Sequence, residues 1–535
     1  MDQTFRLYDF NIYNEKIENC SSGSDEEGKP HENIDSSKFM IQMFGKNEHG
    51  ESCSILVEGF KPFFYVKVDD SWTSATKNTF VAFIRGKLGK YYEQSLCECK
   101  LIKRKKLYGF DGGKEHKFLA FKFDNMQAFN KAKNLWYNTT DRKLLKEGLL
   151  FGRTRTYLYE ANIPPLLRLF HIRDISPSGW VALPNKNTTN ILSKKTTCKF
   201  EFKINYKFII PLNDKETRVP LKICSFDIEA NSSHGDFPVP IKSYKKLATN
   251  IIEYFENQNN DFGVEQYKDI LQKILLCAFG YEDTMKTSID KVYPKKAPKS
   301  EEDLKEIIEN WLVAQIRNSQ SSDEIKYQIT IEALFEKMNQ DEDEDSHFGT
   351  QTHYFKNSAK KGTIVELLMD KKMDRTAKMT ELNISLNSFF PRLEGDKVTF
   401  IGSTFLLSGE KEPYLNHCVV LNSCSKLENA EIESYKTEKD LLLAWRDIIQ
   451  KENPDIIIGY NIFGFDYEFM FRRAEENNCV EEFLKLSKNK GELCGSRDFK
   501  TNKYKIEETS IQIASGQHDL KYIKMNGRIQ IDLYN

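Results

Sequence analysis

Lys222-Ile223-Cys224-Ser225-Phe226-Asp227-Ile228-Glu229-Ala230 is the stretch from which the rest of the chain can be read. Apolar and polar residues alternate, the period of a strand packed on one side. Alternation sets Ser225, Asp227 and Glu229 on one face and Cys224, Phe226 and Ile228 on the other. Two carboxylates at i and i+2 repel each other. Withdrawn from water without partners, they take up a proton or cost free energy. A divalent cation resolves that conflict, and hard oxygen ligands suit Mg²⁺ or Mn²⁺. A half-exposed strand whose polar face meets solvent explains the same residues, and on this stretch alone it is the better explanation.

Further along, residues 453–470 read NPDIIIGYNIFGFDYEFM. An apolar strand passes through a Gly-Tyr-Asn turn into a helix, with Asp466 near its start. The helix dipole favours a carboxylate there, and Asp455 fits a turn at a strand edge. A loop at the end of a sheet strand is also where α/β folds place ligands. Strands are predicted at 221–230, 397–403, 417–421 and 455–459. Thr437, with Asp440 three residues on, caps an amphipathic helix to about residue 451, and a second helix covers 465–476. Strand, strand, strand, helix, strand, helix is an α/β arrangement around a mixed sheet.

Residues 241–390 interrupt this order. They are mostly helical in pattern, rich in Lys, Glu, Asn and Gln, and include the acidic run 341–345 and the pair Lys295-Lys296. Charge runs of this kind read as solvated surface, and the stretch is treated as an insertion. Residues 1–215 read as a mixed α+β domain with no catalytic cluster. Strands are expected near 5–12, 39–44, 52–68 and 101–124, helices near 74–92 and 126–136, and a polar acidic loop at 20–37. The basic stretch Lys103-Arg104-Lys105-Lys106 suits template phosphates or a solvated strand edge equally well.

Composition excludes little. The 535 residues carry a net charge of −1, so no global basicity announces a nucleic-acid partner, although a local basic groove suffices. No basic-then-apolar leader opens the chain, and no run approaches a membrane span. The 11 cysteines are scattered, and Cys97-x-Cys99 lacks a second Cys/His pair, so reduced, intracellular thiols are the simpler reading.

Phe226-Asp227-Ile228-Glu229 resembles the first exonuclease motif of family B DNA polymerases, and Gly459-Tyr460-Asn461 through Phe465-Asp466 resembles the second, in the same order. Val57-Glu58-Gly59-Phe60, Pro62 through Val66, Tyr159 through Asn162 and Gly179-Trp180 resemble delta-type members, and Gly527 through Asp532 resembles the family's strand beyond the second motif. Phe390 through Asp396, with the long insertion, resembles polymerases of large nucleocytoplasmic DNA viruses. The resemblance implies a ribonuclease H-like 3′→5′ proofreading exonuclease domain over 216–535, incomplete at its C-terminus. It implies two Mg²⁺ ions, with Mn²⁺ possible, held by Asp227, Glu229 and Asp466. Asn461 would contact DNA, Phe465 would pack beside Asp466, and Tyr460 is read as structural. The third motif, Tyr-x-x-x-Asp, is not found; Tyr504 and Glu508 have its spacing but lie too early, in a loop-like stretch. The polymerase motifs are not found either.

The resemblance therefore implies the amino-terminal part of a DNA-directed DNA polymerase, impaired in editing as an isolated chain. Its partners would be primer-template DNA and a single-stranded 3′ end. dNTPs would enter only through the polymerase domain, and a sliding clamp and a second polypeptide are further expected partners. No membrane is implied. The setting would be the nucleus or a cytoplasmic viral replication site. A freestanding exonuclease and a nucleic-acid-binding or assembly segment without catalysis are the competing readings.

Overall fold

The computed structural model describes residues 2–16, 37–106, 109–232, 235–258, 262–315, 362–498, 501–513 and 516–534. Most of the expected loop at 20–37, and the acidic run 341–345, lie outside them.

Two sheets are built from the first 212 residues. The larger has seven strands, in the order Thr188–Asn190, Phe200–Asn205, Ser52–Glu58, Ser37–Lys46, Gln3–Lys16, Trp180–Leu183 and Ile210–Leu212. Its core gathers Phe5, Leu7, Ile41, Met43, Ile55 and Phe202. The smaller has five strands, in the order Leu96–Lys105, Glu115–Phe123, Phe63–Lys67, Thr154–Tyr159 and Leu149–Phe151. Helices Ser74–Leu88 and Met126–Lys133 pack on it, bringing Phe80 and Phe129 against Phe64, Phe121 and Trp136. Thr73 caps the first helix, and Gly89, at φ +78°, ends it. Lys103, Arg104 and Lys105 are exposed at the end of an edge strand, where charge also discourages pairing with other chains.

The third sheet starts from the stretch quoted first. Its strands are β1 (Lys222–Asn231), β2 (Lys397–Leu407), β3 (Leu415–Leu421), β4 (Glu431–Tyr435), β5 (Ile456–Gly459) and β6 (Ile529–Asp532). They lie in the order β4-β3-β2-β1-β5-β6, so β1 is central. It runs antiparallel to β2 and parallel to β5. Cys224, Phe226 and Ile228 are buried, while Ser225, Asp227 and Glu229 face outward. Helices α1 (Glu438–Glu452) and α2 (Tyr467–Glu476) cover the apolar face: Phe226 meets Trp445 of α1 at 5.0 Å and Tyr467 of α2 at 5.5 Å between ring centroids.

The stretch 241–390 is helical where described. Helices Lys245–Glu256, Val264–Ala278, Glu301–Val313, Ile364–Met369 and Arg375–Phe389 enclose their own core of Tyr244, Ile251, Leu275, Ile308, Trp311 and Leu386. Lys295 of this stretch donates to the Glu476 carbonyl at the end of α2 at 2.8 Å, and buried Arg473 of α2 bonds Glu438 of α1 at 2.7 and 2.9 Å and the carbonyl of Pro240, just ahead of the stretch, at 3.1 Å.

Three local expectations change. Asp455 is not a solvated turn residue. It is fully buried, paired with Lys46 and Lys488 at 2.5 Å each, and it accepts from the Lys222 N–H. This joins the seven-stranded sheet to the foot of β5. Burial would raise its pKa, but Lys488 and Lys46 outweigh burial and hold it below the usual value. The stretch of Tyr504 and Glu508, read as loop-like, runs into a strand: Glu507–Ile513 pairs antiparallel with Gly516–Tyr522. β4 was also not foreseen, because its exposed and half-buried residues carry no alternation.

Candidate active site

β5 ends at Gly459, and Ser225 of β1 pairs with Ile458. Asp227, two residues further, therefore stands level with the loop that leaves β5. That loop approaches β1 closely: a Cβ on Gly459 would lie 2.9 Å from the Phe226 carbonyl oxygen and run into Ile462. The chain then turns through Asn461, left-handed at φ +60°, a conformation Asn tolerates better than most residues. Residues Ile462–Asp466 form one π-helical turn before α2. Such turns are frequent at functional sites, and this one ends on Asp466.

The turn is held from below. The Asp532 carboxylate, at the end of β6, accepts from the N–H groups of Asn461 (2.8 Å), Phe463 (2.9 Å) and Tyr534 (2.9 Å). Gly459 and Asp532 are register partners, so parallel pairing puts the carboxylate beside the turn. Sequence reasoning placed Asp532 in the right strand but gave it no role. An acid closing an apolar strand, next to a strand that ends in a glycine turn, was the available signal.

Asp466 is 2% exposed. Burial, and then the facing Asp227 carboxylate, push its pKa from 3.8 up to about 7. Its Oδ1 is buried without a hydrogen-bond partner in the protein, an expensive state for a carboxylate oxygen. Asp227 is exposed on β1, and its Oδ1 accepts from the Ile228 N–H at 3.0 Å. The structure thus brings Asp227 and Asp466 together. Glu229 lies on the same exposed face of β1, but among the described residues no three His, Cys, Asp or Glu side chains converge as a metal cage. A hard divalent cation fits the pair: it would satisfy the orphaned Oδ1 and cancel the repulsion.

The other expected residues surround this pair. Asn461 folds its side chain back over Gly464, where a Cβ would collide with its Oδ1. Phe465 packs between Phe469 (5.2 Å) and Phe237 (5.5 Å). Tyr460, read as structural, is 65% exposed and lies edge-on to Tyr534 at 5.3 Å.

Residues 156–253 and 362–535 match the family described as DNA polymerase family B, exonuclease domain. The chain is 42% identical to the DNA polymerase of Phaeocystis pouchetii virus, over 99% of its own length and 52% of that protein. It is 30% identical to the DNA polymerase of Pyramimonas orientalis virus, over 94% of this chain and 39% of that one. It is 36% identical to the DNA polymerase delta catalytic subunit of Oryza sativa subsp. japonica, over 27% of this chain and 12% of that one. The chain spans about half the length of the first of these relatives, and less of the others. No helix among the described residues is long and apolar enough to cross a membrane. The matched segments contain both β1, with Asp227 and Glu229, and the turn that carries Asp466, and the chain belongs to the family B DNA polymerases through their exonuclease domain.

Proposed function

We propose that this chain is the amino-terminal part of a DNA-directed DNA polymerase and that Asp227, Glu229 and Asp466 belong to its 3′→5′ proofreading exonuclease. The buried, unpartnered Oδ1 of Asp466 beside Asp227 carries this reading. The domain division follows: a mixed α+β region to about 215, then the ribonuclease H-like sheet with its helical insertion. Asp227 and Asp466, with Glu229 next to them on β1, would hold the divalent ions, two Mg²⁺ or Mn²⁺. When bound, such ions activate water and stabilise the departing 3′-oxygen.

The protein's own residues do the rest. With its pKa raised to about 7, Asp466 holds a proton below neutral pH while the site is empty of cations and yields it when one arrives. Burial on the apolar side of the turn fixes its carboxylate against β1. Asn461 and Phe465, on the same turn, are placed to meet the terminal nucleotide of a single strand. Primer-template DNA, dNTPs and a sliding clamp belong to the whole polymerase, working at the nucleus or a viral replication site.

The test is digestion of a 5′-labelled single strand in Mg²⁺ by the polymerase that contains this chain. Stepwise shortening from the 3′ end is expected. Asp227→Ala and Asp466→Ala should each slow it by about 10³-fold, roughly 4 kcal/mol at 1.4 kcal/mol per decade. Digestion that survives both changes would refute the assignment.

A further inference from the structure

A cavity of about 370 Å³ opens where the helical insertion meets the tail of β1. That is within the range of small-ligand sites. Phe237, which lines it, is the ring against Phe465, so the cavity sits one aromatic contact away from the residue preceding Asp466. Lysines 242, 245, 246 and 291 and aspartates 236, 290 and 396 also line it. These groups divide into two kinds. Asp396 is 3% exposed, pairs with Lys242 at 2.6 Å and accepts from the Val239 N–H at 2.9 Å, so that pair closes the floor.

The rim differs. Lys246 and Lys291 are exposed, and Tyr293 is an exposed ring. Lys246 shares itself between Asp236 at 2.8 Å and Asp290 at 3.7 Å. Solvent-exposed pairs of this kind are weak, so the two carboxylates hold Lys246 only loosely. Exposed lysines around an exposed aromatic ring are the chemistry that binds single-stranded nucleic acid, with phosphate on the ammonium groups and a base on the ring.

We propose that the insertion gives the exonuclease a further nucleotide subsite: Lys246 and Lys291 hold a phosphate of the single strand behind the scissile linkage, and Tyr293 stacks on its base. This rests on the exonuclease reading of the neighbouring carboxylates. It assigns the insertion a role in gripping the strand, away from the reacting phosphate.

The experiment measures anisotropy of labelled oligothymidylates binding to the full chain in EDTA, at several salt concentrations. A dinucleotide and an eight-nucleotide strand are compared. Lys246→Ala with Lys291→Ala should weaken the eight-mer about tenfold, leave the dinucleotide unchanged and flatten the salt dependence by about one unit of slope. Tyr293→Ala should weaken the eight-mer similarly, and Tyr293→Phe should restore it. Wild-type binding of the eight-mer with no change in these variants overturns the subsite and leaves the exonuclease reading standing. Failure of the wild-type chain to bind the eight-mer overturns the subsite, whereas the exonuclease reading stands or falls separately on 3′ digestion in Mg²⁺. Equal losses on the dinucleotide and the eight-mer would place the lysines at the reacting end and also overturn the proposal.

Discussion

Replacing Asp466 by Asn removes a charge that the folded protein holds at a cost, and the size of that cost follows from the structure. The folded pKa is about 7 against 3.8 for the free side chain, because of burial and then Asp227. Three units at 1.4 kcal/mol each make about 4 kcal/mol. The folded pKa is raised, so the favourable contribution is complete below pH ~4 and is lost as pH rises through 7. Between pH 5 and pH 8 the wild type should lose about 2–3 kcal/mol of local stability without metal. Hydrogen exchange of peptides covering β1 and α2, in EDTA and corrected for the intrinsic rate, reads this directly. Protection should fall by roughly 30- to 100-fold from pH 5 to pH 8 in the wild type, and stay flat in Asp466→Asn. Added Mg²⁺ should restore protection at pH 8 in the wild type only. A wild type with no such loss, or an Asn variant that loses as much, would refute the reasoning.

Asp532→Ala strips the acceptor from three backbone N–H groups. It should loosen the turn by about 1–3 kcal/mol and lower the turnover of 3′ digestion more than it changes strand affinity, as single-turnover kinetics would show. Lys488→Met leaves Asp455 buried with one cation fewer. Breaking such a pair costs about 3–5 kcal/mol, read as a lower urea midpoint of the chain. Gly459→Ala pushes a methyl toward the Phe226 carbonyl and Ile462. It should cost about 1–3 kcal/mol by the same measurement, with protection lost first in the turn peptides.

β1 was legible because its burial is one-sided: three apolar residues inward, three polar residues outward, with nothing in between to blur the period. The helix after Thr437 was legible because its cap is local, the Thr437 hydroxyl accepting from the Asp440 N–H. What escaped was non-local. Asp455 reads as a turn residue until Lys46, some 400 positions earlier, is folded against it. The hairpin at 507–522 and β4 present few buried side chains, so no period marks them. The π-helical turn could not be read from Gly459 and Gly464, since its register depends on Asp532 arriving beside it. The pairing of Asp227 with Asp466 was reached through resemblance. The residues alone explained each carboxylate in an ordinary way, and only the orphaned oxygen of Asp466 shows that the ordinary explanation is incomplete.

Manganese binding to the chain tests the central claim most directly. Mn²⁺ titrated into the protein at pH 7 and followed by electron paramagnetic resonance should show saturable uptake with release of a proton. Uptake should weaken by at least about tenfold in both Asp227→Asn and Asp466→Asn, as each removes an anionic ligand. Equal binding by the wild type and both variants would mean that the two carboxylates do not hold the cation.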